Sequence, residues 1–291
     1  MYALRRLSGN ALALTREHEA IARPRVGEVA WSAFDPRHYD SAVLDRAAEL
    51  WRTRAVQELH SLASFTELCG KLQLLGAPLD WSGAFARMIA DEVRHTDLCL
   101  RLCETLGRPA APQINAADLH LLNHASSRGS VRHMIAALFC IGETISGRMF
   151  RRVLKVTDVP LARDVVAAIV TDETFHAELG WELGALLMRS DGPEFELERA
   201  SLASALPGLF RHYAALCGAK LGPAETAKKA QAEPVSSPNF GTLSGAGYAL
   251  AFFDGMREDV VPGLVSIGLP EAEAAYADFL AELPASDRLQ P

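Results

Sequence analysis

Apolar residues recur every three or four positions through most of the chain, which is the pattern of amphipathic helices packed on a core. In the middle of the chain this pattern predicts four long helices, over 40–76, 81–106, 130–156 and 160–189. Asp40 is suited to cap the first helix, either Gly70 or Gly76 to end it, and Pro160 to start the fourth. The stretch 110–129 is then a crossover between two helical hairpins.

The flanking segments predict further helices and two irregular stretches. Residues 1–39 read as an irregular arm or a short helix lying on the main body, and 222–244 reads as a mobile loop rich in Pro, Ser and Ala. Helical patterns return over 194–219, 245–265 and 270–283. We therefore expect an all-α protein with an N-terminal arm (1–39), a four-helix bundle (40–190) and a C-terminal helical extension packed on the bundle (191–291).

Composition narrows the class of protein. The 291 residues carry 36 acidic and 29 basic side chains, a net charge of −7, which argues against nucleic acid as a partner. The five cysteines form no CxxC pair, so a reducing compartment, the cytoplasm, is the expected location. No run of eighteen apolar residues occurs, so we expect no membrane association.

A five-residue motif occurs twice, once in the second predicted helix and once in the fourth. The copies are Asp91-Glu92-x-x-His95 and Asp172-Glu173-x-x-His176, and the sequence holds no other Glu-x-x-His. In each copy the Glu and the His fall in the apolar stripe of their helix. A carboxylate buried in such a stripe costs several kcal/mol unless it is paired or bound to a cation.

The first and third predicted helices each carry one glutamate in a similar place. Glu58 and Glu143 lie at the centre of apolar stripes, whereas the competing Glu67 shares its face with polar residues and reads as solvated. The spacing agrees, because 34 residues separate Glu58 from Glu92 and 30 separate Glu143 from Glu173. Each pair should thus lie at similar heights on the two sides of its turn.

Four glutamates and two histidines on four helices match the ligand set of a carboxylate-bridged di-metal site. Oxygen donors with two imidazoles favour iron or manganese, so we expect two iron ions, with manganese as the alternative. In this prediction Glu92 and Glu173 bridge the metals, each His binds one metal, and Glu58 and Glu143 are terminal or switchable ligands. Asp91 and Asp172 are expected to hold the imidazoles crosswise, Asp172 on His95 and Asp91 on His176. The competing interpretation is buried salt bridging by Arg54, Arg94, Arg132 or Arg148.

Over residues 41–189 this pattern resembles the ferritin-like di-iron carboxylate superfamily. DEVRH at 91–95 is similar to the DExRH motif of bacterial multicomponent monooxygenase hydroxylases, although the second copy has Phe175 in place of Arg. The resemblance implies a ferritin-like four-helix bundle of two helical hairpins joined by a crossover, with additional N- and C-terminal helices. Cys99 stands where ribonucleotide reductase has its radical Tyr, Gly147 where the hydroxylases have Thr, and Ile169 where arylamine oxygenases have a third His.

The resemblance implies an O2-dependent di-iron monooxygenase or oxidase that hydroxylates, desaturates or N-oxygenates a small, mostly apolar substrate. Glu58, Glu143 and Gly147 are then the catalytic candidates, and the pocket candidates are Leu62, Phe65, Cys99, Phe139 and Ile169. The expected partners are O2, the substrate and an external electron donor, a reductase or ferredoxin; a homodimer is one open oligomeric state. Two alternatives remain, an iron-binding or ferroxidase protein without an organic substrate and a tRNA-modifying di-iron monooxygenase, which the charge disfavours.

Overall fold

The computed structural model describes residues 1–4, 13–115, 119, 128–189 and 193–284. The described regular structure is helical apart from one antiparallel strand pair, β1 (Tyr2–Ala3) with β2 (Gln113–Ile114). The all-α prediction is therefore confirmed. The helices are α1 Ala13–Val26, α2 Ser41–Leu74, α3 Leu79–Thr105, α4 Arg128–Met134, α5 Thr144–Val156, α6 Pro160–Leu187, α7 Pro193–Leu216, α8 Pro223–Ala232, α9 Gly245–Gly255, α10 Val261–Ser266 and α11 Glu271–Glu282.

The ends of the long helices follow from local chemistry. Asp40 caps α2 by accepting a 2.8 Å hydrogen bond from the backbone N–H of Ala42, as predicted. The helix passes through Gly70 and ends just before Gly76, whose φ of 75° is the left-handed conformation that glycine adopts without strain. Pro160 opens α6 at the predicted residue, because a first-turn proline has no N–H to leave unbonded.

The third predicted helix consists of three consecutive segments. Between α4 and α5 lies a π-helical segment, Ile135–Glu143, in which the turns are wider than in an α-helix. Periodicity did not predict it, because the run is apolar at nearly every position and satisfies more than one helical period. A second π-helical segment, Met256–Val260, joins α9 to α10. Such segments are frequent at functional sites.

By backbone contacts the chain divides into two compact units, and the first comprises Met1–Ser126, Thr157–Ile169 and Pro238–Gly241. Its centre is the hairpin of α2 and α3, which is packed around Trp51, Phe65 and Phe85. Helix α1 lies on α3, where Arg101 donates to Glu19 at 2.7 Å. The N-terminal arm thus contains the short helix that was one of its two predicted forms.

The segment Pro238–Gly241 is held against α2 through its backbone. The indole of Trp51 donates to the Phe240 carbonyl at 2.8 Å, and the guanidinium of Arg54 donates to the Gly241 carbonyl at 2.5 Å. The Arg54 guanidinium also lies 4.6 Å from the centre of the Trp51 ring. Both side chains are therefore fixed within the first unit, Trp51 two turns and Arg54 one turn before Glu58.

The second unit comprises Ser127–Val156, Val170–Ser237 and Thr242–Pro291. Its core includes Phe139, Phe210, Phe252 and Phe253, which are all almost fully buried. Helix α6 is continuous, with its first part in the first unit and the remainder in the second. The predicted domain boundaries at 39/40 and 190/191 stay a prediction.

The predicted loop at 222–244 is wrong in its first half, because Pro223–Ala232 forms α8. Pro223 stands in the first turn, where proline favours a helix, and the following residues AETAKKAQA are mostly strong helix formers. Pro234 and Pro238 belong to the irregular remainder. Within the predicted crossover 110–129, residues 116–118 and 120–127 lie outside the described residues. Among the described helices, none is long and apolar enough to cross a lipid bilayer.

Candidate metal centre

The six predicted ligands are all buried, with between 0% and 7% of each residue exposed. They comprise Glu58 on α2, Glu92 and His95 on α3, Glu143 at the end of the π-helical segment, and Glu173 and His176 on α6. Glutamate is rarely buried to this degree unless it is paired or bound to a cation.

In the first unit, Glu58 and Glu92 approach the same imidazole. His95 Nδ1 lies 3.5 Å from Glu58 Oε2 and 3.8 Å from Glu92 Oε1. Glu92 and His95 share one face of α3 because they are three residues apart. Burial raises the pKa of Glu58 to about 7, the neighbouring His95 opposes this rise, and the Glu92 carboxylate adds to it. Without a cation, the simultaneous ionisation of Glu58 and Glu92 is therefore disfavoured.

In the second unit, Glu143 and His176 form a matching pair. His176 Nδ1 lies 3.4 Å from Glu143 Oε2. Glu173 lies three residues before His176, so both project from one face of α6. Glu143 is the last residue of the π-helical segment, and the position of its carboxylate consequently depends on the wide turns that precede it.

Two groups of four buried side chains bring their ligand atoms within 4.8 Å of one another. The first group is Glu58, Glu92, His95 and Glu173, and the second is Glu92, Glu143, Glu173 and His176. Ligand atoms on opposite sides of an ion bound at about 2.1 Å lie about 4.2 Å apart, so this spacing fits an ion. Both groups could hold a metal, and three carboxylates with one imidazole suit iron or manganese better than zinc.

The two aspartates of the repeated motif are also buried. Asp91 forms an ion pair with Arg94 one turn later in α3, and it lies 3.8 Å from Arg87 one turn earlier. A carboxylate held in this way is fixed in orientation, as a group that orients a metal-bound imidazole must be. The crosswise contacts predicted for Asp91 and Asp172 stay a prediction.

Two of the arginines considered as salt-bridge partners bind carboxylates outside the ligand set. Arg148 donates to Asp259 at 2.8 Å and to Glu258 at 2.7 Å, and both acceptors belong to the second π-helical segment. Arg132 pairs with Glu198 of α7. Glu67, the rejected ligand candidate, lies 2.9 Å from Lys71 and is partly exposed.

The predicted pocket residues are core residues in the structure. Phe65, Cys99, Phe139 and Ile169 are fully buried, and Leu62 is half-buried. Burial and the nearby Glu58 carboxylate raise the pKa of Cys99 well above its usual value, so its thiol stays neutral. Gly147 is buried one turn after Glu143, and a Cβ there would meet the Arg151 side chain at 3.4 Å. The substrate-binding role of these residues stays a prediction.

Sequence reasoning missed one contact to the π-helical segment that carries the ligand Glu143. The hydroxyl of Tyr213 on α7 donates a 2.7 Å hydrogen bond to the carbonyl of Ala137 in the π-helical segment. A signal was present, because Tyr213 lies in the apolar stripe formed by Leu206, Phe210 and Cys217. A polar atom in an apolar stripe is the same kind of signal that identified the glutamates.

Comparison of the chain with protein families, with curated proteins and with solved structures finds no match.

Proposed function

We propose that the two ligand groups form one carboxylate-bridged di-iron centre in a ferritin-like four-helix bundle, and that the protein is an O2-dependent monooxygenase or oxidase. The observation that carries this proposal is that Glu92 and Glu173 belong to both groups, whereas each group has its own histidine. A pair of shared carboxylates with one imidazole on each side is the arrangement of di-metal carboxylate proteins.

The charges of the site support two divalent ions. Four buried carboxylates carry up to four negative charges, which two divalent cations would balance. A single ion would leave a net negative charge in a site where burial already raises the pKa of Glu58 to about 7. In this proposal Glu92 and Glu173 would bind both ions, while Glu58 and Glu143 would each bind one.

When bound in the reduced state, the iron pair supplies O2 binding and reduction. Each imidazole lies beside a carboxylate: His95 beside Glu58, and His176 beside Glu143. Phe65, Phe139 and Ile169 would exclude water around the ligands and favour a small, mostly apolar substrate. Monooxygenation places one oxygen atom in the substrate and reduces the other to water, so an external donor, a reductase or ferredoxin, would supply two electrons.

We also propose a cytoplasmic location, which the state of the cysteines supports. All five are free thiols, and Cys99, Cys103, Cys140 and Cys217 are buried. Reduced cysteines are typical of proteins from reducing compartments.

The test is the fate of iron and O2 under reducing conditions. Protein loaded with ferrous iron without oxygen is mixed with O2, a chemical reductant and a panel of small apolar compounds. We expect transient visible absorption and oxygenated or desaturated product, both lost in Glu173→Ala. Glu182→Ala, at an exposed position on the same helix as Glu173, is the matched control and should retain both. Slow formation of ferric mineral, independent of every compound tested, would instead favour the ferroxidase alternative.

A further inference from the structure

Tyr213 contacts the π-helical segment directly through its hydroxyl group. The hydroxyl donates a 2.7 Å hydrogen bond to the carbonyl of Ala137, six residues before the ligand Glu143. Tyr213 lies on α7, so this contact ties a distant part of the chain to the wide turns that lead to the ligand. Both partners belong to the second unit.

The residue before the ligand is a glycine because the Tyr213 hydroxyl occupies the space of a side chain. A Cβ on Gly142 would lie 2.7 Å from Tyr213 Oη and 3.3 Å from Tyr213 Cζ. The first distance is shorter than real Cβ contacts, so alanine at this position would displace either the hydroxyl or the turn. Gly142 and Tyr213 are therefore fitted to each other.

Helix α6 confines the same segment through another close approach. A Cβ on Gly180 would lie 2.5 Å from Cβ of Phe139, and Gly180 follows the ligand His176 by one turn. The Cys140 thiol contacts the Gly180 carbonyl at 3.5 Å. The π-helical segment thus has little freedom to move along α6.

The Glu143 carboxylate is close enough to Tyr213 to influence its ionisation. Burial, and then the Glu143 charge, raise the pKa of Tyr213 well above its usual value. The hydroxyl therefore keeps its proton and remains a hydrogen-bond donor.

We propose that Tyr213 is a positioning residue for the metal ligand Glu143. Its hydroxyl holds the wide turn of the π-helical segment in the form that directs the Glu143 carboxylate towards His176. A π-helical turn contains about one residue more than an α-helical turn, so a change to α-helix would rotate Glu143 by about 100° around the helix axis. This inference rests on the proposed metal centre and adds to it a residue outside the ligand set.

Tyr213 should affect only one of the two ligand groups. Glu143 belongs only to the group with Glu92, Glu173 and His176. Loss of the Tyr213 hydroxyl should weaken metal binding by that group and leave the group containing Glu58 unchanged. A general loss of stability would weaken binding by both groups.

The test is anaerobic titration of metal-free protein with Co²⁺, whose visible spectrum reports the ligands around each ion. Glu143→Gln and Glu58→Gln assign the two binding steps of the wild type. We expect Tyr213→Phe to weaken the step assigned to Glu143 by about tenfold and to alter its spectrum, with the other step unchanged. Tyr276→Phe removes a hydroxyl from α11 in the same unit and should leave both steps unchanged.

Two further variants distinguish a specific effect of the Tyr213 hydroxyl on the π-helical segment from a general folding defect. Gly142→Ala should weaken the same step more strongly, because its Cβ meets the hydroxyl at 2.7 Å. The double variant Gly142→Ala, Tyr213→Phe should recover part of that loss, because the nearest ring atom at 3.3 Å can give way by a few tenths of an ångström.

The outcomes also separate this inference from the proposed function. If Tyr213→Phe binds both ions as the wild type does, or weakens both steps equally, Tyr213 does not position Glu143 and only this inference is overturned. If the wild type binds fewer than two ions, both the di-metal centre and the role of Tyr213 are overturned.

Discussion

Replacing Glu58 with glutamine should stabilise the metal-free protein while weakening its metal site. Burial and the Glu92 carboxylate raise the pKa of Glu58 from its usual 4.5 to about 7, so the ionised form is disfavoured in the folded state. Glutamine keeps the shape of the side chain and removes the charge. The cost that Glu58 imposes on the folded protein should therefore disappear in Glu58→Gln.

The size and pH dependence of this effect follow from the two pKa values. For an acid whose pKa is raised on folding, the destabilisation begins as the pH passes the unfolded value and is complete above the folded value. The gap between 4.5 and about 7 corresponds to about 3 kcal/mol above pH 7. At pH 5 Glu58 is mostly protonated in the folded protein, and the stability difference between Glu58→Gln and the wild type falls below about 1 kcal/mol.

Urea unfolding of chelator-treated protein at pH 8 and pH 5 measures this difference. Glu49→Gln, on the same helix with 72% of its side chain exposed, is the matched control and should change stability by less than about 0.5 kcal/mol at either pH. With saturating metal the order at pH 8 should reverse, because the wild type gains more binding free energy than the variant. A metal-free Glu58→Gln protein that is less stable than the wild type at pH 8 would refute the argument from buried charge.

Three other predictions concern the elements around the site. Asp40→Ala should destabilise the protein by about 1 kcal/mol through loss of the α2 cap, measured as a lower urea midpoint with an unchanged slope; an unchanged midpoint would show that the cap is dispensable. Gly180→Ala should lower the free energy of unfolding by about 1–3 kcal/mol, because its Cβ would lie 2.5 Å from Cβ of Phe139. It should also weaken metal binding by the group containing His176. Normal stability and affinity would mean that α6 can move away freely. Removing metal should lower the thermal midpoint, since each ion present at about 100 times its dissociation constant adds about 2.7 kcal/mol; identical melting curves with and without chelator would argue against binding.

The ligand candidates could be predicted from sequence because a buried charge leaves a clear pattern. Glu58 and Glu92 stand in stripes of apolar residues, where ionised groups are rare, and the structure buries both. Glu67 was predicted to be solvated because it lies on a polar helix face, and its side chain is partly exposed beside Lys71. Asp40 was predictable because a side-chain cap is a local interaction that depends on only a few neighbouring residues.

Other features were not predictable because they depend on packing between distant segments. The π-helical segment Ile135–Glu143 is apolar at nearly every position, so periodicity could not distinguish it from an α-helix. The need for glycine at position 142 arises from Tyr213, which lies 71 residues later in the sequence. The loop prediction at 222–244 was wrong for a different reason, since Pro234 and Pro238 favour a loop whereas the residues from Ala224 to Ala232 are mostly helix formers.

The number of iron ions bound per chain tests the central claim most directly. Purified protein is incubated with excess ferrous iron without oxygen, unbound iron is removed, and bound iron is counted by elemental analysis and characterised by Mössbauer spectroscopy. We expect two ions per chain in the wild type and in Glu49→Gln, and at most one in Glu92→Ala, because Glu92 belongs to both ligand groups. Well under two ions in the wild type, or an unchanged count in Glu92→Ala, would contradict the di-iron centre.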